Sequence, residues 1–368
     1  MNRIRAHGDC LQYHLPASGR IDAVVESGVS ILDVGACAVI LAAPAIHQGG
    51  LIMTAKKVIT VLGATGAQGG GLARSILADP GGPFAVRAVT RDIDSDGARA
   101  LAAAGAQVVA ADLGDAAAVG RALDGAYGAY FVTFFWSHFS PERELAEARL
   151  LAGAARDARL EHVIWSTLED TRCWVPLSDT RMPTLMGKYK VPHFDAKGEG
   201  DQFFRDAGVP TTFLLTSFYW DNLIHFGMGP KRGEDGVLGF VLPMGDRKLP
   251  GIAAEDIGRC AHGVFKRGRE LVGRTVGIAG EHLNGAEMAA ALSGALGETV
   301  RHVDVQPEVY RGFGFPGADD LGNMFQFKRD FNDDFRASRN VDFARSLNPQ
   351  LQDFRTWLSR NAAKIPLG

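Results

Sequence analysis

From Lys56 onward the hydrophobic positions of the chain fall into two alternating patterns. Short β-branched runs predict buried strands, and apolar residues three or four apart predict helices. "KKVITVLGA" is the first strand, and "GGGLARSILAD" puts Leu72, Ile76 and Leu77 on one helical face before "PGGP" stops it. "FAVRAVTR" with the helix "DGARALAAAGA" repeats the unit, as does "QVVAADL" with the acid-capped helix "DAAAVGRALDGA". Ala129–Phe135 reads as a fourth strand, followed by a helix over about 141–158 with proline in its first turn. "HVIWSTL" is the fifth strand. After an irregular stretch, "VPHFDAKGEGDQFFRDAG" is a helix and "PTTFLLTSF" the sixth strand.

Such alternation predicts the α/β class, a Rossmann-type doubly wound parallel sheet with helices on both faces. We place that domain at 53–218. Beyond Tyr219 the segments are short and rich in glycine and proline, with helices expected over 254–266, 285–296 and 351–364. This part, 219–368, reads as a smaller α+β substrate lobe, partly interleaved with the first domain and closing over the carboxyl ends of its strands.

Residues 1–52 carry neither period. Ala36–Ala45 resembles the apolar region of a signal peptide, but it starts far from the N-terminus and follows Glu26 and Asp33. At about ten residues it is also too short to span a bilayer. The segment reads as a disordered or loosely docked leader, or as sequence ahead of a natural start at Met53, with export the minor alternative.

Composition narrows the function. A chain of 368 residues, 46% hydrophobic, buries a large core. With 39 basic and 42 acidic residues it offers no field for nucleic acid and no membrane-surface footprint. Cys10, Cys37, Cys173 and Cys260 show no C-x-x-C spacing, and the ten histidines form no H-E-x-x-H. We therefore expect no disulfide framework, no metal, and a reducing cytoplasm.

Candidate chemistry begins at "TVLGATGAQGG". Gly63, Gly66 and Gly69 follow a strand and open a helix, the context of a dinucleotide cradle. Gly63 allows the tight turn, Gly66 the close approach of a pyrophosphate, and Gly69 the close packing of helix on strand. Thr65 and Gln68 lie between them. The second strand ends in Thr90-Arg91 rather than an acidic residue. A guanidinium there pairs with a 2′-phosphate, which favours NADP(H). Asp92, Asp94 and Asp96 add opposing charge and keep NAD(H) open. Asp112 either accepts from the adenine amino group or caps the next helix. Thr133, ending the fourth strand, faces the nicotinamide half.

Reductases of this fold often use Y-x-x-x-K on one helix face. Here His193 stands at the tyrosine position and Lys197 at the lysine, while Tyr189 falls ahead of the helix. Ser166 or Thr167 supplies the hydroxyl. Two roles remain for the pair: catalysis with His193 as acid, or His193 as pocket wall with Lys197 as ribose ligand.

"VLGATGAQGG", "VPHFDAKGE", "FFRDAGVP" and "GFPGADDLGNMFQF" together resemble the NmrA-like family of atypical short-chain dehydrogenase/reductases, and within it the HSCARG-type NADPH sensors. The resemblance runs from about Lys56 to Ala363. It implies a Rossmann domain with an interleaved smaller domain and a dinucleotide in the cleft. It matches Gly63, Thr65, Gly66, Gln68 and Gly69 to the pyrophosphate loop, Arg91 to the 2′-phosphate, Asp112 to the adenine side and Lys197 to the retained lysine. The function it implies is a redox-state sensor that changes conformation or association with NADP(H) occupancy and binds a regulatory protein partner. The alternative is an NADPH-dependent reductase of a small hydrophobic carbonyl or quinone. A homodimer fits either role. The loop from Glu169 to Lys190, with Cys173 and Trp174, is expected to shape a distinct pocket.

Overall fold

The structure, a computed structural model, describes residues 55–367, and the expectations for residues 1–52 lie outside it. Its first half alternates as β1 (Lys57–Leu62), α1 (Ala67–Leu77), β2 (Phe84–Thr90), α2 (Asp96–Ala103), β3 (Gln107–Ala110), α3 (Ala116–Leu123), β4 (Gly128–Phe131), α4 (Pro141–Asp157), β5 (His162–Thr167), α5 (Pro192–Asp206) and β6 (Thr211–Leu215). Every residue of β4, β5 and β6 is buried, as strands covered by helices on both faces must be. The strands are parallel in the order β3-β2-β1-β4-β5-β6, so strand order reverses between β1 and β4. In such sheets the crevice at that reversal, outside the strand carboxyl ends, is where ligands bind.

The second half contains β7 (Phe218–Tyr219), α6 (Asn222–His225), β8 (Lys231–Arg232), β9 (Leu238–Val241), β10 (Leu249–Ile252), α7 (Ala254–Arg267), β11 (Thr275–Gly277), β12 (Glu281–Leu283), α8 (Gly285–Leu296), β13 (Val300–Val303), α9 (Pro307–Arg311), α10 (Ala318–Asp330), α11 (Asn332–Ala337), α12 (Val341–Leu347) and α13 (Phe354–Asn361). Two of these elements return to the Rossmann sheet. β11 adds a seventh parallel strand beside β6. α7 lies against α1, where a Cβ on Gly258 would stand 2.0 Å from the Leu72 amide nitrogen and one on Gly71 2.4 Å from the Glu255 carbonyl oxygen. The remainder forms two three-stranded sheets, β12-β10-β7 and β13-β9-β8, around a core of Trp220, Phe240, Phe325, Phe327 and Trp357.

The structure departs from the sequence pattern most clearly at two element ends and in one added strand. The fourth strand stops at Phe131 rather than Phe135, because the chain leaves the sheet there and closes a 3-10 turn at Phe135–Ser137. The last helix begins at Phe354 rather than Leu351, where Asp353 accepts the Thr356 N–H at 2.7 Å. β11 was not anticipated, since three residues are too few to show a period.

Candidate functional site

Five adjacent strand ends present the residues singled out above. The glycine loop follows β1, Arg91 follows β2, Asp112 lies beyond β3, Thr133 beyond β4, and Ser166 is near the end of β5. Gly63 has φ +63°, a left-handed turn that favours glycine. A Cβ on Gly69 would stand 2.5 Å from the Gly63 carbonyl oxygen, so that glycine is required by helix–strand packing. α1 starts at Gly66 with no side-chain cap and no acidic residue in its first turn. Its first N–H groups and dipole are thus left for an anion, which fits a pyrophosphate. Thr65 is exposed beside this turn.

Gln68 faces the other way. Its Oε1 accepts the hydroxyls of Tyr130 and, at 2.8 Å, Ser166, while its Nε2 donates to the Tyr219 hydroxyl at 2.5 Å. Its side chain is committed to this network. Ser166 is therefore not brought to Lys197. Alternation along β5 turns Ser166 toward α1, and Thr167 toward α5, where Thr167 donates to Asp201 at 2.6 Å. Burial holds the Asp201 carboxyl up at about 7.

Arg91 is exposed and has no carboxylate partner among the described residues. Of the acidic run after it, Asp96 is paired with Arg99 at 2.8 Å, and Asp92 accepts the Asp94 N–H at 2.9 Å. Asp112 accepts the Gly114 N–H at 2.7 Å, and the cap of α3 is Asp115 instead. The capping alternative for Asp112 falls away.

The helix α5 carries the densest chemistry, and nearly every residue of "HFDAKG" has a task. Phe194 is in the core. Asp195 accepts the N–H groups of Thr171, Lys190 and Val191, tying both ends of the 169–190 loop to the helix. A Cβ on Gly198 would strike the Asp170 amide nitrogen at 2.4 Å. Lys197 Nζ lies 2.6 Å from Thr133 Oγ1, 2.6 Å from Glu144 Oε1 and 3.3 Å from the Thr133 carbonyl. His193 Nδ1 meets Asp320 Oδ1 at 2.6 Å, and its backbone N–H donates to Oδ2 of the same carboxylate at 3.2 Å. Asp320 therefore caps α5 from a distance of 127 residues and orients the imidazole at once. Tyr189 lies outside the helix, as expected.

Around the imidazole stands an aromatic wall. The ring centroids of His193 and Trp136 are 4.7 Å apart, and Phe135 packs on the same ring. Phe134, Phe139 and Phe315 remain exposed at the rim. Phe139 holds φ +54°, a strained conformation for a bulky residue and one that clusters at functional sites. Trp174 donates to Asp334 at 3.0 Å, and the loop that carries it is fixed by Asn323 bonds to the Pro183 and Lys190 carbonyls. Asp320 and Asn323 both belong to the "GADDLGNMFQF" run. The "VPHFDAKGE" and "GFPGADDLGNMFQF" runs thus touch.

Sequence reasoning missed Asp320 and Glu144. Asp320 had no readable signal, because its partner is so remote. Glu144 did: it shares a helical stripe with Ala148, Leu151, Ala152 and Ala155, and a carboxylate on an apolar stripe needs a buried partner. No helix among the described residues is long and apolar enough to cross a membrane.

Known proteins are similar to this chain. The model of the NmrA-like family matches residues 55–358. The oxidoreductase FrzB of Cladobotryum sp., which contains an NmrA-like family domain, is 28% identical over 292 residues, covering 73% of this chain and 83% of its own. An NAD(P)H azoreductase of Xenophilus azovorans is 31% identical over 264 residues, covering 70% and 82%. Among solved structures, NmrA, a negative transcriptional regulator, in complex with NADP, superimposes with a TM-score of 0.66 at 23% identity, over 84% of this chain and 96% of its own.

Proposed function

The chain belongs to the NmrA-like family, and from that premise we propose that it is an NADPH-dependent oxidoreductase acting on a small hydrophobic quinone, carbonyl or azo acceptor. The observation that carries this reading is the His193–Asp320 pair one helical turn from Lys197, beside an aromatic wall. The sequence showed a histidine in place of tyrosine; the structure supplies it with an orienting carboxylate, the arrangement a working acid–base group needs.

In this reading the glycine loop and the α1 N-terminus hold the pyrophosphate, Arg91 the 2′-phosphate, and Lys197 the nicotinamide ribose. The cofactor supplies a hydride. Trp136 and Phe139 stack a flat acceptor and exclude water from it. His193, held through Nδ1 by Asp320, delivers a proton from Nε2 to the acceptor atom as negative charge develops there, and regains one from solvent. The NAD(P)H azoreductase relative supports the acceptor class, since azo compounds and quinones are planar and conjugated.

A sensor role is favoured by one specific observation: the Ser166 hydroxyl is committed to Gln68 and does not complete a serine–acid–lysine set. The two readings part in one experiment. His193→Phe keeps the ring packing, and Asp320→Asn keeps the shape. In an oxidoreductase both lower kcat by about a hundredfold or more while NADPH affinity holds. Acceptor reduction unchanged in both variants would sink His193 as the acid.

A further inference from the structure

Beneath the proposed nicotinamide site lies a carboxylate that no sequence motif contains. Glu144 is wholly buried on α4. A buried charge is costly unless it is paired and hydrogen-bonded, and this one is both. Its Oε1 meets Lys197 Nζ at 2.6 Å and accepts the Thr133 hydroxyl, while Thr133 Oγ1 accepts from Lys197 at 2.6 Å. The three groups form a closed triangle at the carboxyl end of β4. We infer that Glu144 is a positioning residue, which holds the Lys197 ammonium where it meets the nicotinamide ribose. The inference rests on the reading of Lys197 as a ribose ligand given above, and not on turnover.

The donor count supports it. A lysine ammonium has three N–H groups. Two are aimed at Thr133 Oγ1 and Glu144, and the third at the Thr133 carbonyl at 3.3 Å, the longest of the set. That weakest bond is the one a ribose hydroxyl can replace without disturbing the other two.

The far side of the carboxylate faces His138. Glu144 Oε2 has no hydrogen-bond partner, and His138 Nε2 stands 3.7 Å from it. The Ser140 N–H donates to His138 Nδ1 at 3.0 Å, so the imidazole proton lies on Nε2, facing Glu144 and, at 4.0 Å, Glu147. This tautomer argues against a metal at His138, Glu144 and Glu147, although their ligand atoms cluster within 4.8 Å. Each carboxylate also has its own cation, Lys197 for Glu144 and Arg143, at 3.1 Å, for Glu147. Lys197 and Thr133 thus both hold Glu144 through Oε1.

The test is equilibrium binding of two probes, NADPH and adenosine 2′,5′-bisphosphate, which carries the adenine half and the 2′-phosphate but no nicotinamide ribose. In Glu144→Gln, NADPH binding should weaken about tenfold while bisphosphate binding is unchanged. Lys197→Gln should behave alike, and Glu144→Gln added to Lys197→Gln should cost nothing more, because Glu144 acts through the lysine. Unchanged or tighter NADPH binding in Glu144→Gln overturns the inference. So does a further loss in the double variant, which contains neither buried charge and so remains a test even where the single variant misfolds. NADPH binding unchanged in Lys197→Gln identifies the ribose-ligand reading itself as the error.

Discussion

Arg91 is the side chain on which the proposed preference for NADPH turns. It is exposed at the end of β2, and no carboxylate neutralises it among the described residues, although three aspartates follow in sequence. The structure disperses that acidic run into a turn and a local ion pair. Arg91→Ala is expected to weaken NADPH by about tenfold to a hundredfold, the range of a charged hydrogen-bonded contact, and to leave NADH nearly unaffected, as read by calorimetric titration. Lys328 is the opposite case, a charge with nowhere to go. It is buried against the rings of Phe194, Phe325 and Phe335, and its nearest polar neighbour is Met324 Sδ at 3.2 Å. Burial pushes the ammonium down to about 7, with the Arg339 charge acting in the same direction and Glu169 opposing. The folded state therefore binds fewer protons than the unfolded chain between about 7 and the ordinary 10.5. Stability falls as pH drops through that window, and the full cost is present below it. Lys328→Met, close in volume, should be more stable than the native chain at pH 6, by about 1–4 kcal/mol, and the gain should fade toward pH 10. Denaturant midpoints at both ends of the range check it.

The elements repeat this contrast between what local pattern reveals and what contact decides. Six strands, the glycine turn and the start of α5 at Pro192 were legible, because each is fixed by its own residues: β-branched runs, a left-handed glycine, a proline in the first turn. The end of the fourth strand was not, because Val132–Phe135 is as apolar as a strand but is drawn out of the sheet. The hydroxyl of Thr133 bonds to Glu144 and Lys197, groups on two other elements. Ser166 was read as a site hydroxyl from its position near a strand end, without regard to which face of β5 it takes. Helix packing was equally silent in the sequence. Gly71 on α1 and Gly258 on α7 bring two backbones together, and a methyl group at Gly258 would stand 2.0 Å from a main-chain nitrogen, where neither helix can yield locally. Gly258→Ala should cost about 1–3 kcal/mol in an unfolding titration. Because α1 opens at the cradle, it should also weaken dinucleotide binding. A fully native affinity would mean that the two helices part without moving the loop.

At the scale of the whole molecule, the first half provides the cradle and the second half supplies the partner of His193. The Rossmann sheet lines up the glycine loop, Arg91, Asp112 and Thr133 along the strand ends, an arrangement its alternating pattern foretold. Asp320 comes from α10 in the other half, so the imidazole it orients is set only when both halves are folded together. That dependence is why the sequence displayed His193 yet left its role open. Under the proposed function it also makes turnover, rather than binding alone, the property that depends on the entire fold. The most direct measurement is NADPH oxidation by the purified protein, followed against a panel of quinones, aldehydes and azo dyes, with NADPH and NADH affinities measured in parallel. Tight NADPH binding is expected, with acceptor-dependent consumption that collapses in His193→Phe and Asp320→Asn. Tight binding with no consumption by any acceptor would contradict it, and would leave the His193–Asp320 pair as a cap on α5 in a protein that reports the state of its cofactor.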